Sequence, residues 1–151
     1  MKDTFDEDNR RKTWMGLLAK APEGRVVALL DAAMDRPAFT WLRSPEIGST
    51  MVRARAGGTG APFNLGEITV TRCALTLETG EVGHAYIQGR RKACAEAAAI
   101  VDALMQTDCA DTIRAAVLNP LESELTTVRA NRAAKAAATK VEFFTMARGE
   151  D

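Results

Sequence analysis

Between Thr50 and Gln106 the hydrophobic period of the chain switches from two to about 3.6, with glycines at the boundaries. That switch constrains the fold to an antiparallel sheet followed by a helix that packs on it. Thr50 to Ala56 alternates, Val52 and Ala54 on one face and Met51, Arg53 and Arg55 on the other. Ile68 to Leu77 continues the pattern, with Thr69, Thr71, Cys73, Leu75 and Leu77 opposite Ile68, Val70, Arg72, Ala74 and Thr76. Glu78-Thr79-Gly80-Glu81 reads as a hairpin turn, which returns Val82 to Gln88 antiparallel to that strand. From Arg90 to Gln106 the period becomes helical, with Ala93, Ala97, Ile100, Val101 and Leu104 on one face. Small side chains let such a helix lie close to a sheet.

The flanks are helical. Residues Met1 to Asp8 read as a frayed terminus, and residues 9–151 as a single domain. Asp8 or Asn9 is placed to cap a helix carrying Trp14, Leu17 and Leu18, which ends near Ala21-Pro22. A second helix is expected from Glu23 to Met34, closed by Pro37. Ala38 to Arg43 reads as a strand and Ser44-Pro45-Glu46-Ile47-Gly48 as a turn. Asp108 opens a further helix that Asn119-Pro120 stops; the same pair then starts the next one, Asn119 as cap and Glu122 three residues on. The helix Pro120 to Lys140 has a thin apolar stripe, Leu121, Leu125 and Val128, followed chiefly by alanines. Helices take most of their stability from a packed face, so this one either lies exposed over its own domain or packs against another chain. The tail Val141 to Met146 is strand-like, and Phe143 and Phe144 are costly to leave in water, at about 1.5–3 kcal/mol each. The expected class is α+β: an antiparallel sheet of about four strands, packed by N-terminal and C-terminal helices, with residues 120–151 seeking a subunit contact.

Composition narrows the function. The formal charge is +0 over 151 residues, which favours neither nucleic acid nor an anionic membrane. No run of about 18 apolar residues occurs, so a membrane span is not expected. The N-terminus carries no apolar signal core, and the three cysteines, Cys73, Cys94 and Cys109, are odd in number and unpaired by motif. Together these fit reduced thiols in a cytoplasmic protein. His84 is the single histidine, so a two-histidine metal site or a nucleophile–histidine pair is not expected, and no catalytic residue is assigned.

The candidate chemistry is anion recognition. Gly58, Thr59 and Gly60 follow Arg53 and Arg55, and Gly89 precedes Arg90, Arg91 and Lys92 at a helix start. Backbone that a ligand can approach closely, beside guanidinium groups, suits phosphate; a helix N-terminus favours negative charge. Arg72 projects beside Thr69 and Thr71, either towards an anion or into a salt bridge at the sheet. Neither glycine cluster is a P-loop or a dinucleotide fingerprint.

Three segments, RAGGTGAPFNLGEITVTRCAL, GHAYIQGRRKACAEAAAIVDALMQ and the tail VEFFTMARGED, resemble the PhnG family, the G subunit of the carbon–phosphorus lyase core complex. The similarity begins at RRKTWMGLLAKAP and so covers nearly the whole chain. It implies a cytoplasmic subunit of phosphonate catabolism, working with subunits H, I, J, K and L. Subunits G, H, I and L there make α-D-ribose 1-methylphosphonate 5-triphosphate, an alkylphosphonate displacing adenine from ATP. ATP is then a substrate of the complex, and no cofactor is expected on this chain alone. Glu67 and Arg91 stand where the family pattern suggests aspartate. The candidate contact residues are Leu125, Val128, Phe143 and Phe144. Self-association of the isolated chain, and a free-standing anion-binding regulatory module, are the alternatives.

Overall fold

A computed structural model describes residues 2–141 of the chain, with residues 2–8 as backbone alone. The order is α1 (Lys2–Lys20), α2 (Arg25–Ala33), β1 (Phe39–Arg55), β2 (Pro62–Leu77), β3 (Val82–Gln88), α3 (Lys92–Leu104), α4 (Ala110–Ile113), a π-helical turn (Arg114–Leu118) and α5 (Asn119–Ala138). The three strands form one antiparallel sheet in the order β1-β2-β3. The α+β class and the antiparallel sheet stand as the sequence predicts.

The expected turn at Ser44–Gly48 does not form. Phe39–Arg43 and Thr50–Arg55 belong to one strand, so three strands replace about four. Pro45 is tolerated because β1 lies at the edge of the sheet, where a missing N–H breaks no interior ladder. The pairing slips between Trp41 and Arg43 and again between Arg43 and Glu46, so bulges absorb the irregular residues instead of a chain reversal. β1 and β2 also run on beyond β3, whose last pair is Val70 with Gln88. Residues 49–55 and 62–69 therefore form a two-stranded arm tipped by the glycine loop. Met51, Phe63 and Leu65 are exposed on it.

One face of the sheet holds the core. Thr71, Cys73, Leu75 and Leu77 of β2 and Gly83, Ala85 and Ile87 of β3 alternate inward. They meet α3, whose Ala95 and every residue from Ala97 to Leu104 are buried. Ala93, expected on the buried face, is exposed. Gly83 sets the approach: a Cβ there would stand 1.9 Å from the Ala99 carbonyl oxygen and 2.9 Å from Ala103 Cβ. No side chain fits, and that is why the helix backbone can rest on the strand.

Two helix boundaries differ from the sequence reading. α1 starts at Lys2, upstream of the expected cap, and Asn9 lies inside it, its carbonyl accepting from Thr13 Oγ1 at 2.9 Å. Residues 2–9 contain neither glycine nor proline to stop a helix. The chain also remains helical through Asn119-Pro120, so the expected stop, cap and restart do not occur; Asn119 makes no side-chain capping bond. In a plain α-helix the Pro120 ring would clash with the carbonyl four residues back. The π turn immediately before it loosens the coil there, with Asn119 N–H bonding the Arg114 carbonyl five residues earlier. Beyond Val141, the strand reading of Val141–Met146, with Phe143 and Phe144, lies outside the described residues; Val141 itself is exposed.

Candidate functional site

The two glycine-arginine loops fold as different structures in different places. At the arm tip, Gly57 and Gly58 take left-handed φ values of 59° and 82°. Gly60 N–H closes the turn on the Ala56 carbonyl at 2.8 Å, and Arg55 Nη1 donates to the Gly60 carbonyl at 3.1 Å. The loop thus spends part of its polar capacity on itself. Gly58 and Thr59 stay exposed, and Arg53, Arg55, Gly58 and Pro62 line an open depression.

The second loop is held by one buried hydroxyl. Gly89, at φ +88°, donates its N–H to the Thr69 carbonyl at 2.8 Å. Thr71, fully buried, donates through Oγ1 to the Gly89 carbonyl at 2.6 Å and accepts from Arg91 N–H at 2.9 Å. The clamp fixes the start of α3, where no side chain caps the helix. Arg91 points to Glu23 at 3.8 Å, whereas Arg90 is exposed and forms no ion pair with another described residue. Seven residues of β2 separate the level of Gly89 from Pro62, about 23 Å of strand. The two loops do not converge.

Arg72 lies apart from both, on the open face of the sheet. Its Nε donates to Glu46 Oε1 at 2.6 Å, and Arg43 shares the same oxygen at 3.2 Å. All three side chains are about half exposed. His84 and Tyr86 are exposed on that face too. Among the described residues no group of three or more His, Cys, Asp or Glu side chains lies close enough together to hold a metal ion. The thiols are all free, and burial pushes that of Cys73 up to about 12, with Glu96 adding to the rise.

Sequence reasoning missed the polar centre of the molecule. Asp102, fully buried on α3, accepts four hydrogen bonds. Its Oδ1 takes Arg11 Nε at 3.2 Å and Trp14 Nε1 at 2.8 Å. Its Oδ2 takes Arg11 Nη2 at 2.7 Å and the His84 backbone N–H at 2.9 Å. Arg11 Nη2 also donates to the Val82 carbonyl at 3.0 Å, so one carboxylate ties α1, β3 and α3 together. A single acid inside the apolar run Ala97–Leu104 was the available signal, because a charge buried at that position demands a cationic partner.

A second missed feature is a groove of about 460 Å³ between α1 and the helix from Arg114 to Arg129. Among the described residues Arg10, Lys12, Lys20, Arg114 and Arg129 line it, against one acid, Glu122. Beside it, α5 is nearly bare. Leu121 is buried and Leu125 half-buried, but every residue from Thr126 to Ala138 is exposed, Val128 at 55%.

This is an α+β domain with a closed core, no converged catalytic cluster among its described residues, and an arm and a helix that its own core leaves uncovered. That is the construction of a subunit. Residues 9–149 match the family described as Phosphonate metabolism protein PhnG, and the chain belongs to that family. It is also 44% identical, over 142 residues, to the alpha-D-ribose 1-methylphosphonate 5-triphosphate synthase subunit PhnG of Rhizobium meliloti (strain 1021), a match spanning 94% of this chain and 91% of that one. No helix among the described residues is long and apolar enough to cross a membrane.

Proposed function

We propose that this chain is a cytoplasmic, non-catalytic subunit of a transferase assembly that makes α-D-ribose 1-methylphosphonate 5-triphosphate, and that the distal half of α5 is its main contact with partner subunits. The observation that carries the reading is the bare helix. Thirteen residues, Thr126 to Ala138, run about 20 Å with every one of them exposed. An isolated helix of that length is marginal in water, so a partner surface is what would hold it. Leu125 and Val128 start the contact, and Phe143 and Phe144, just beyond α5 in sequence, continue it. The partners are the other carbon–phosphorus lyase subunits, H, I, J, K and L. Gly89 and Arg90, with Gly58, Thr59 and Gly60 at the arm tip, face acidic groups of those subunits or of the substrate. Arg72 joins them only by releasing Glu46.

The test is co-expression with the partner subunits. Leu125→Asp with Val128→Asp places two charges in the contact, where losing one anchor typically costs about 2 kcal/mol or more. The variant is expected to drop out of the stoichiometric complex while the isolated chain keeps its circular dichroism. Co-elution at wild-type ratios would overturn the assignment of α5.

A further inference from the structure

We propose that the groove between α1 and the Arg114–Arg129 helix binds the triphosphate of a ribose 5′-triphosphate, either the nucleotide substrate or its ribosyl product. The inference rests on the subunit reading above, which supplies that chemistry, and goes beyond it by assigning this chain a ligand site.

Charge is the first argument. The chain as a whole is neutral, yet among the described residues the groove gathers Arg10, Lys12, Lys20, Arg114 and Arg129 against Glu122 alone. Many cations elsewhere are matched, Arg11 with Asp102, Arg25 with Glu124, Arg36 with Asp31 and Glu96, Arg43 and Arg72 with Glu46, although Arg90 is not. In the groove Lys12, Lys20, Arg114 and Arg129 form no ion pair with another described residue. Those four cations less Glu122 leave a local excess of three positive charges among the described residues, suited to a triphosphate ester whose terminal group is almost doubly ionised at neutral pH.

Shape is the second. The cations stand on two facing walls around one concave volume of about 460 Å³, within the usual range for a small-ligand site. Arg10 and Lys20 mark out about 15 Å of the α1 wall. Between them Trp14 and Leu17 supply apolar surface for the non-phosphate part of the ligand. An acidic protein segment is the competing occupant. Met51, Phe63 and Leu65 lie away on the arm, but Leu125 lines the groove and Val128 adjoins it, so assembly is measured beside ligand binding to separate the two occupants.

The experiment titrates the full chain with inorganic triphosphate and, separately, ATP, by calorimetry. Saturable binding of both at one site is expected, weakening as salt rises. Tighter binding of ATP would add ribose or base contacts, whereas equal affinity would confine recognition to the phosphates. Arg114 and Arg129 are exposed, so Arg114→Ala with Arg129→Ala should fold normally and weaken binding at least tenfold. Glu122→Gln removes the opposing charge and should tighten it several-fold. Absence of saturation, or binding lost in Arg90→Ala but kept in the double variant, would overturn the site. If the double variant instead fails to assemble while the wild-type chain binds no triphosphate, the groove is a protein-docking surface and the proposal falls. Normal assembly with no triphosphate binding would sink the ligand site and leave the subunit reading standing.

Discussion

Asp102→Asn should be nearly as destructive as Asp102→Ala, although it keeps the shape of the side chain. Each carboxylate oxygen accepts two donors: Arg11 Nε and Trp14 Nε1 at Oδ1, Arg11 Nη2 and the His84 N–H at Oδ2. Whichever way an asparagine amide is turned, its NH₂ faces two donors. The variant therefore loses the charge and half the acceptors together, and leaves a partly buried guanidinium without its counter-ion. Breaking a buried ion pair from one side costs about 3–5 kcal/mol, a large share of the roughly 5–15 kcal/mol that holds a domain folded. At about 2–4 °C per kcal/mol for a chain of this size, the melting temperature should fall by around 10 °C. Urea unfolding followed by circular dichroism reads the free energy. A cycle with Arg11→Ala isolates the pair, with a coupling of about 0.5–3 kcal/mol expected between direct contacts. Hydrogen exchange should show α1 loosened first, because Arg11 and Trp14 are its polar links to α3. An Asp102→Asn chain within about 1 kcal/mol of wild type, the ordinary cost of a point substitution, would refute the account of the hub.

Gly83→Ala should cost about 3 kcal/mol or more, the severe end of overpacking, because its methyl would lie 1.9 Å from the Ala99 carbonyl oxygen; wild-type stability in urea would show that α3 does not rest on β3 this closely. The exposed Cys109 should react with a maleimide far faster than Cys73, whose thiol is buried and pushed up to about 12. Comparable rates in the folded chain would contradict that burial. The same shift makes the unfolded chain lose its thiol proton first as pH rises. Cys73 therefore subtracts stability from about pH 8.5 upward, towards pH 12, and Cys73→Ser should flatten that part of the stability curve.

The sheet from Ile68 to Gln88 and the helix after it were legible because each carries its own period, and the buried face of one strand names its partner. Pro45 and Pro120 misled for one shared reason. Proline marks a break only where its missing N–H or its ring cannot be accommodated; an edge strand with bulges absorbs the first, and a π turn the second. Arg90 could be placed beside a helix start from its neighbours alone; α3 begins two residues later, at Lys92, and Arg90 lies exposed just before its cap. The Asp102 hub and the cationic groove could not be read that way. Arg11 reaches Asp102 across 91 positions, and Arg10 faces Arg129 across most of the chain. No local pattern encodes which distant arginine closes on which acid; only the packing of α1 against the rest decides it.

The π turn before Pro120 also acts as a phase corrector. Ile113 and Leu121 are eight residues apart, which in an unbroken α-helix would leave them about 80° out of line. The wider turn takes up one residue, about 100° of rotation, so Leu121 and Leu125 return to the azimuth of Ile113. The inner half of the helix is thereby keyed to the core, and the outer half inherits its heading. Were the coil to relax to plain α-geometry, the fold could survive while the stripe through Leu125 and Val128 swung about a quarter-turn away. The orientation of the helix that reaches beyond the domain is thus set at a single loosened turn inside it.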